Sequence, residues 1–459
     1  MSTKSCPESP GQPKGIYGVD DLDSIPGPNR KLNILIMAFK DLGINTRVYR
    51  QAKILSERGH NVTVYAIGNP NQELMDELPN VTFIETGRIK LYTPQVFDDW
   101  SRKYGSWRQK LARALTRVWQ QKINMLINHR VIFAKQARVL LNDRVVFAKR
   151  AHFAFKKDSF DAIVVHDHHS MYATLAVDPW NKTTTILDSV EVPYFHPVPD
   201  KNKWLRHIDR WVERQCLRRC KYTMTVSNAL AKWLIDNKYA KNVWVIRNCR
   251  AYEDIVPRGD IRKHAGVKED QLLGIYLNTV YAGQGVEQMV EALPMMDEKI
   301  VLAILGLFSP PEMKEDILAL AEKLGVSHRL RILPTVPVPE LLPYAAGADF
   351  GVIPRQKATI NNIVSLPNRV LEMTMAKLPL AVTSIRDIQG VIRDYDMGMV
   401  FDETNPQDIA DKVNELIRPE KLKHCKENAA KASKRLTWER EGNYFGYIVE
   451  QMADGKCAS

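Results

Sequence analysis

The sequence predicts an α/β protein with two parallel-sheet domains in tandem, facing one another across a cleft. Three observations predict it. Short apolar runs of strand length alternate with segments of helical periodicity through most of the chain, the pattern of parallel strands joined by crossover helices. The alternation pauses after Ile246 and starts afresh at Leu272, so it reads as two series. At 459 residues the chain is long enough for two sizeable cores.

Residues 1–30 are rich in Pro, Gly, Ser and Asp and lack a basic-then-apolar signal pattern. They are expected to be a disordered leader on a cytosolic protein. Residues 31–40 form a continuous apolar run, as a strand buried on both faces does. A loop through Gly43 and Asn45 follows, then a helix over 46–58 with Val48, Ala52 and Leu55 on one face. Gly59 ends it, and residues 61–67 and 81–85 read as the next strands. After a basic stretch, residues 161–165 are a strand ending in His166-Asp167-His168-His169. Residues 183–187 are another, running into Asp188-Ser189-Val190-Glu191. A helix over 204–219, a strand over 222–226, a helix from Ser227 and a strand over 243–246 complete a first domain, 31–246.

The second domain, 247–437, opens with a strand over 272–277 and a loop carrying Gly283 and Gly285. A helix over 286–295 follows, and then strands over 299–305, 331–333, 349–353 and 380–383 separated by helical segments. Residues 361–373 read as a loop entering a helix. Ser365 is a candidate N-cap and Pro367 suits the first turn. Such a start suits a phosphate, and Glu372 one turn on can accept from sugar hydroxyls; the plainer reading is a capped helix with a solvated Glu. Residues 438–459 hold a last helix whose Phe445, Ile448, Val449 and Met452 must dock somewhere. Ligands of open α/β sheets bind beyond the carboxyl ends of the strands. His166, Glu191, Arg247, Gly283 and Glu372 all lie at or just past such ends.

The net charge of +12 is concentrated. Residues 101–157 hold fifteen Lys and Arg against one acid, Asp143. The segment reads as a helical insertion in the first domain, with Trp107, Leu111, Leu115, Val118 and Trp119 on one face. Arg130-Val131-Ile132-Phe133-Ala134-Lys135 nearly repeats as Arg144-Val145-Val146-Phe147-Ala148-Lys149. An apolar stripe with a basic flank fits an anionic membrane surface. Trp107, Arg113, Arg117, Trp119, Phe133 and Phe147 are then the contacts, and the protein is peripheral on the cytosolic face. A solvated basic face is the plainer alternative. No nucleic-acid module surrounds the segment, so nucleic acid is not an expected partner. No run of eighteen apolar residues appears, and the six cysteines imply neither a metal site nor a disulfide framework.

These residues carry a resemblance. From about residue 31 to 452 the chain resembles a family-4-type glycosyltransferase of GT-B architecture, two Rossmann-like domains across a cleft. Val226-Ser227-Asn228 resembles the family's strand-to-helix corner, and Val245-Ile246-Arg247-Asn248 its interdomain step. Gln284-Gly285-Val286-Glu287 resembles its phosphate loop, and Leu333-Pro334-Thr335-Val336-Pro337 with Glu340 its base-binding strand. Ser365-Leu366-Pro367-Asn368-Arg369-Val370-Leu371-Glu372 is similar to the S-L-P-N box of bacterial cell-surface polysaccharide transferases.

The resemblance implies a retaining, metal-independent transferase that moves a sugar from a nucleotide-sugar to a lipid-linked or cell-surface glycan acceptor. It implies no cofactor. Glu372 would bind the donor ribose, and Gly283, Gln284 and Gly285 its diphosphate. Asn368, Ser365, Leu366, Arg369, Arg247 and Asn362 would complete the donor side. His166, or failing it His168, would stand near the reacting carbon. Gly43, Asn45, Arg47 and Glu191 would face the acceptor. The chain departs from the pattern at Val364, where the family carries an acid, and at Thr279 and Gln284, where it carries basic residues. Arg247, Arg355, Lys357 and Arg369 are the candidates to supply that charge. The alternative is an inactive transferase-like scaffold, docked at a membrane or partner through the basic helices.

Overall fold

The computed structural model of the chain describes residues 16–17, 25–41, 46–67, 77–78, 80–85, 147–152, 154–155, 158–192, 214 and 217–457. The first domain runs β1 (Ile16–Tyr17), β2 (Asn33–Asp41), α1 (Thr46–Glu57), β3 (Asn61–Ile67), β4 (Val81–Glu85), β5 (Ala162–His166), α2 (Asp167–Val177), β6 (Thr184–Ser189), β7 (Tyr222–Thr225), α3 (Asn228–Asp236) and β8 (Val243–Val245). Its strands pair in parallel in the order β1-β8-β7-β6-β5-β2-β3-β4. Ile34 through Ala38 and Ala162 through Val165 are wholly buried, which explains unbroken apolar runs where a half-exposed strand would alternate.

The second domain runs α4 (Asp260–His264), β9 (Leu272–Leu277), α5 (Val286–Ala292), β10 (Ile300–Leu305), α6 (Met313–Lys323), β11 (Leu330–Ile332), α7 (Leu341–Ala345), β12 (Phe350–Ile353), α8 (Ile360–Val364), α9 (Asn368–Met375), β13 (Leu380–Thr383), α10 (Arg386–Tyr395), β14 (Gly398–Phe401), α11 (Pro406–Leu416) and α12 (Pro419–Ser433). Its order is β11-β10-β9-β12-β13-β14, again all parallel. Two apolar clusters cover its two faces. Strand order reverses between β2 and β5 in one sheet and between β9 and β12 in the other. Connections diverge there, and a crevice opens at the carboxyl ends.

The last helix, α13 (Trp438–Ala453), returns to the first domain. Phe445, Ile448, Val449 and Met452 are wholly buried in one cluster with Ile34, Leu55, Val164 and Trp244. Polar contacts fix its register. Trp438 N donates to Arg250 O at 2.7 Å. Glu450 takes Arg58 at 2.6 and 2.9 Å and meets His60 Nε2 at 2.9 Å.

Three expectations are corrected. Phe147, expected on a membrane-facing stripe, is wholly buried with Tyr65 and Phe39. Ala151 and Phe155 join it in the first domain's core, so the end of the basic stretch is core helix with Lys149 and Arg150 exposed. An apolar helical stripe has the same period whether it meets lipid or a sheet. Ser365 does not cap a helix. It ends α8, whose own N-cap, Thr359, accepts from Asn362 N at 3.1 Å. The chain is then extended through Ser365 and Pro367 before α9 begins at Asn368, because the residue before a proline is driven from helical geometry. Strand β14 was not anticipated: it is short, begins with glycine and is only partly buried.

Trp107, Arg113, Arg117, Trp119, Phe133, Gly43 and Asn45 lie outside the described residues. Among the described residues, no helix is long and apolar enough to cross a membrane.

Candidate active site

Both sheets direct their carboxyl ends at a cleft of about 420 Å³. The first domain lines it with Val190, Glu191 and Val226, and the connection between domains with Asn248. The second domain contributes Asn278, Tyr281, Arg355, Asn361, Ser365, Leu366, Pro367, Asn368, Arg369 and Glu372.

The floor is built where β9 and β12 diverge. Gly285 caps α5 with φ +76, and a Cβ there would lie 1.8 Å from Pro354 O. Gly283, φ +86, would set a Cβ 3.0 Å from Ala358. Only glycine permits both the backbone conformation and so close an approach. Gln356 N donates to Gly283 O at 3.0 Å and joins the two loops. Gln284, only 2% exposed, accepts from Asn278 Nδ2 at 3.1 Å. Arg355 Nη2 donates to Asn362 Oδ1 at 2.7 Å, and burial holds its pKa below the ordinary arginine value. Gln284 Nε2, Arg355 Nε and Ser365 Oγ are buried with no partner. Each such group costs about 1–3 kcal/mol. Arg355 and Ser365 line the cleft and Gln284 a small cavity adjoining it, so the three form a set of polar groups waiting for a polar ligand.

On the rim, Glu372 of α9 takes Arg369 Nη1 at 2.5 Å and faces Arg250 at 3.7 Å. Asn248 Nδ2 donates to Asn368 Oδ1 at 3.0 Å and ties the connection to α9. Arg50 reaches the same connection through Asn248 Oδ1 and Cys249 O; burial, with Arg47 and Arg250 nearby, pulls its pKa down to about 10. Arg247, expected on the donor side, is instead held by Glu441 of α13, which accepts from its N at 2.9 Å and its Nη1 at 3.4 Å. It lines a second interdomain cavity of about 290 Å³ with Arg386, Asp387 and Arg393. Lys357 is likewise engaged, on buried Glu403 at 2.9 Å.

In the first domain, Arg47 is a buried structural residue. Its Nε and Nη2 meet Asp188 at 2.8 and 3.0 Å. Gln51 Nε2 also donates to Asp188, at 2.7 Å. Burial pushes the Asp188 carboxyl up, but the Arg47 charge, the His166 ring and these hydrogen bonds win and hold it below its ordinary value. His166 ends β5, with Nε2 2.5 Å from Gln51 Oε1 and Nδ1 3.6 Å from Asp188. Asp188 only accepts, so the Gln51 amide turns its oxygen to His166, whose Nε2 carries a proton. At 3% exposure the ring belongs to this network, and it does not line the cleft. His168 falls in the first turn of α2.

The domains are clasped beside the cleft. Asp387 of α10 accepts from Asn228 N and Ala229 N, at 2.9 and 2.8 Å, at the start of α3. Ser227 Oγ donates to Val364 O at 2.5 Å, and Val192 N to Asn361 Oδ1 at 3.3 Å. The Val364 side chain packs with Val192, Val226 and Leu230 of the first domain. The position that departs from the family pattern is thus an apolar part of the domain interface. Asn278, Tyr281, Asp188, Gln51 and Asp387 were not singled out from sequence. Asn278 and Asp188 each left a signal, a polar residue directly after an apolar run. Among the described residues, no group of three His, Cys, Asp or Glu is placed to hold a metal ion.

Known proteins share this architecture. Sucrose-phosphate synthase from Thermosynechococcus elongatus superposes with a TM-score of 0.65 at 13% identity, covering 93% of this chain and 100% of that one. The structure of WaaG, a glycosyltransferase involved in lipopolysaccharide biosynthesis, superposes with a TM-score of 0.55 at 17% identity, covering 91% and 99%. In sequence, lipopolysaccharide glucosyltransferase WaaG of Escherichia coli is 28% identical over 176 residues, 37% of this chain and 43% of the relative. D-inositol 3-phosphate glycosyltransferase of Thermomonospora curvata is 25% identical over 154 residues, 33% and 34%. The chain thus spans less than half the length of these two curated relatives. Glycosyltransferase Family 4 matches residues 43–250, and Glycosyl transferases group 1 matches residues 257–432. With one match on each domain, the chain belongs to the group 1 glycosyltransferases of GT-B architecture.

Proposed function

We propose that this chain is a retaining, metal-independent glycosyltransferase, taking a nucleotide-sugar as donor and a lipid-linked or cell-surface glycan as acceptor. One observation carries the donor site: Arg355 Nε and Ser365 Oγ are buried without partners on residues of the cleft that Glu372 lines, and the unpaired Gln284 Nε2 belongs to a small adjoining cavity that shares Asn278 and Arg355 with it. Arg355 is the cation placed to meet a diphosphate, with Asn278 and Gln284 supplying neutral donors beside it. Charge-assisted donors in a partly dry cleft stabilise a leaving diphosphate. Glu372 would exchange part of its contact with Arg369 for ribose hydroxyls. In transfer, the bond from the anomeric carbon to the diphosphate oxygen breaks and one to the acceptor oxygen forms. The acceptor's hydroxyl proton passes to the departing phosphate. His166 and His168 enter this reading as the groups at the β5–α2 corner, opposite the donor.

Turnover of a panel of nucleotide-sugars tests the reading. Arg355→Ala and Glu372→Ala should each lower turnover by about 10²–10³. His166→Ala and His168→Ala report which histidine matters. Undiminished rates in the Arg355 and Glu372 variants would overturn the site. Absence of any calorimetric heat with every common nucleotide-sugar would overturn the enzyme in favour of an inactive scaffold.

A further inference from the structure

Two carboxylates line the cleft among the described residues, Glu372 and Glu191. They are not equivalent. Glu372 is already engaged by Arg369 at 2.5 Å and Arg250 at 3.7 Å. The Glu191 side chain is exposed and makes no hydrogen bond or ion pair with a described residue. Its backbone is nevertheless fixed. Ser189 Oγ donates to Glu191 O at 2.9 Å, and the next residue, Val192, donates across the domain boundary to Asn361 Oδ1 at 3.3 Å. A free carboxylate on a backbone pinned from both domains stands in the same cleft as Arg355, close enough to act on its charge.

The polar groups on the second domain leave the base and the transferred sugar of a nucleotide-sugar unassigned. Arg355, Gln284 and Asn278 account for the diphosphate and Glu372 for the ribose. The transferred sugar then projects towards the first domain's wall, where Glu191 is the charged group. A carboxylate accepts from two hydroxyls at once and repels another carboxylate. We infer that Glu191 is a specificity-determining residue that reads hydroxyls of the transferred sugar, and that the donor carries a neutral, hydroxyl-rich sugar and not a uronate. This rests on the donor-site reading above and moves Glu191 from the acceptor to the donor.

The test is calorimetric and uses the full chain. The tightest binder among UDP, GDP, ADP and dTDP is found first, and its glucose and glucuronate esters are then titrated. Wild type should prefer the glucose ester by about tenfold or more. Glu191→Gln should cut that preference to about twofold, and Glu191→Arg should reverse it. Glu191→Gln should still bind the nucleoside diphosphate, which a disturbed fold would not allow, and Glu191→Arg should bind it more tightly because a cation replaces the carboxylate beside Arg355. If no diphosphate binds wild type, the donor-site reading fails and this inference falls with it. If a diphosphate binds but the ester preference survives in Glu191→Gln, only this inference fails. Turnover assays of Glu191→Gln complete the test, and a shift confined to the acceptor's KM would return Glu191 to the acceptor.

Discussion

Gly285→Ala isolates the close approach on which the cleft floor depends. Gly285 and Gly325 have nearly the same backbone, φ +76 and +72. An alanine at Gly325 meets nothing within 4 Å. It should therefore cost only the left-handed backbone penalty, about 1–2 kcal/mol. An alanine at Gly285 carries the same penalty and sets its Cβ 1.8 Å from Pro354 O. A carbonyl is not a side chain that can rotate away. The loop after β12 must retreat by about 1.5 Å to restore contact, adding about 1–3 kcal/mol as overpacking does. Arg355 and Gln356 sit on that loop, so nucleotide binding should weaken by about tenfold or more beyond the stability loss. Thermal melts with and without a nucleotide-sugar, together with calorimetric Kd values, separate the two terms. If Gly285→Ala and Gly325→Ala melt alike and bind nucleotide alike, the packing of the glycine loop against residues 354–358 does not shape the site.

Phe445→Ala should destabilise by about 3–5 kcal/mol as a large buried truncation. It should do so in the first domain, and a denaturant midpoint close to wild type would refute the assignment of α13 to that core. Asp188→Asn leaves the Arg47 guanidinium buried with neutral partners alone, the new amide and Ile246 O, and should cost about 3–5 kcal/mol at neutral pH. Because the folded Asp188 pKa is depressed, its contribution is complete above the unfolded carboxylate value and disappears as pH falls through the folded value. Stability curves of wild type and variant should therefore converge below about pH 4, and a constant gap would refute the pairing. Arg113→Glu with Arg117→Glu should weaken co-sedimentation with anionic vesicles by about tenfold at low salt. Equal binding by that variant would remove the membrane role proposed for the basic stretch.

Much of the fold was legible because parallel strands are buried on both faces. Ile163, Val164 and Val165 announce a strand by composition alone. Strand β14 did not, since Gly398, Met399 and Val400 are each partly exposed. In the candidate site, the turn glycines Gly283 and Gly285 and the helix that carries Glu372 were legible, because turn geometry and helical periodicity are local. The Arg47–Asp188 pair spans 141 residues, and Asp387 caps a helix 158 residues before it. Contacts that distant leave no periodicity or spacing to read. Phe147 misled for the opposite reason, since its local pattern was clear but said nothing of what it packed against.

The return of α13 sets an order on how this chain becomes itself during synthesis. The second domain's core, from Cys249 to Leu436, emerges as one continuous block. The first domain emerges earlier, yet the surface of α1 and its sheet waits for Phe445, Ile448, Val449 and Met452. The part made first is therefore finished last, reversing the usual vectorial sequence on the ribosome. Until those residues arrive, Leu55 and its neighbours form an apolar face for chaperones to guard. A stop a few codons before residue 445 would leave the second domain's core intact and the other half permanently open.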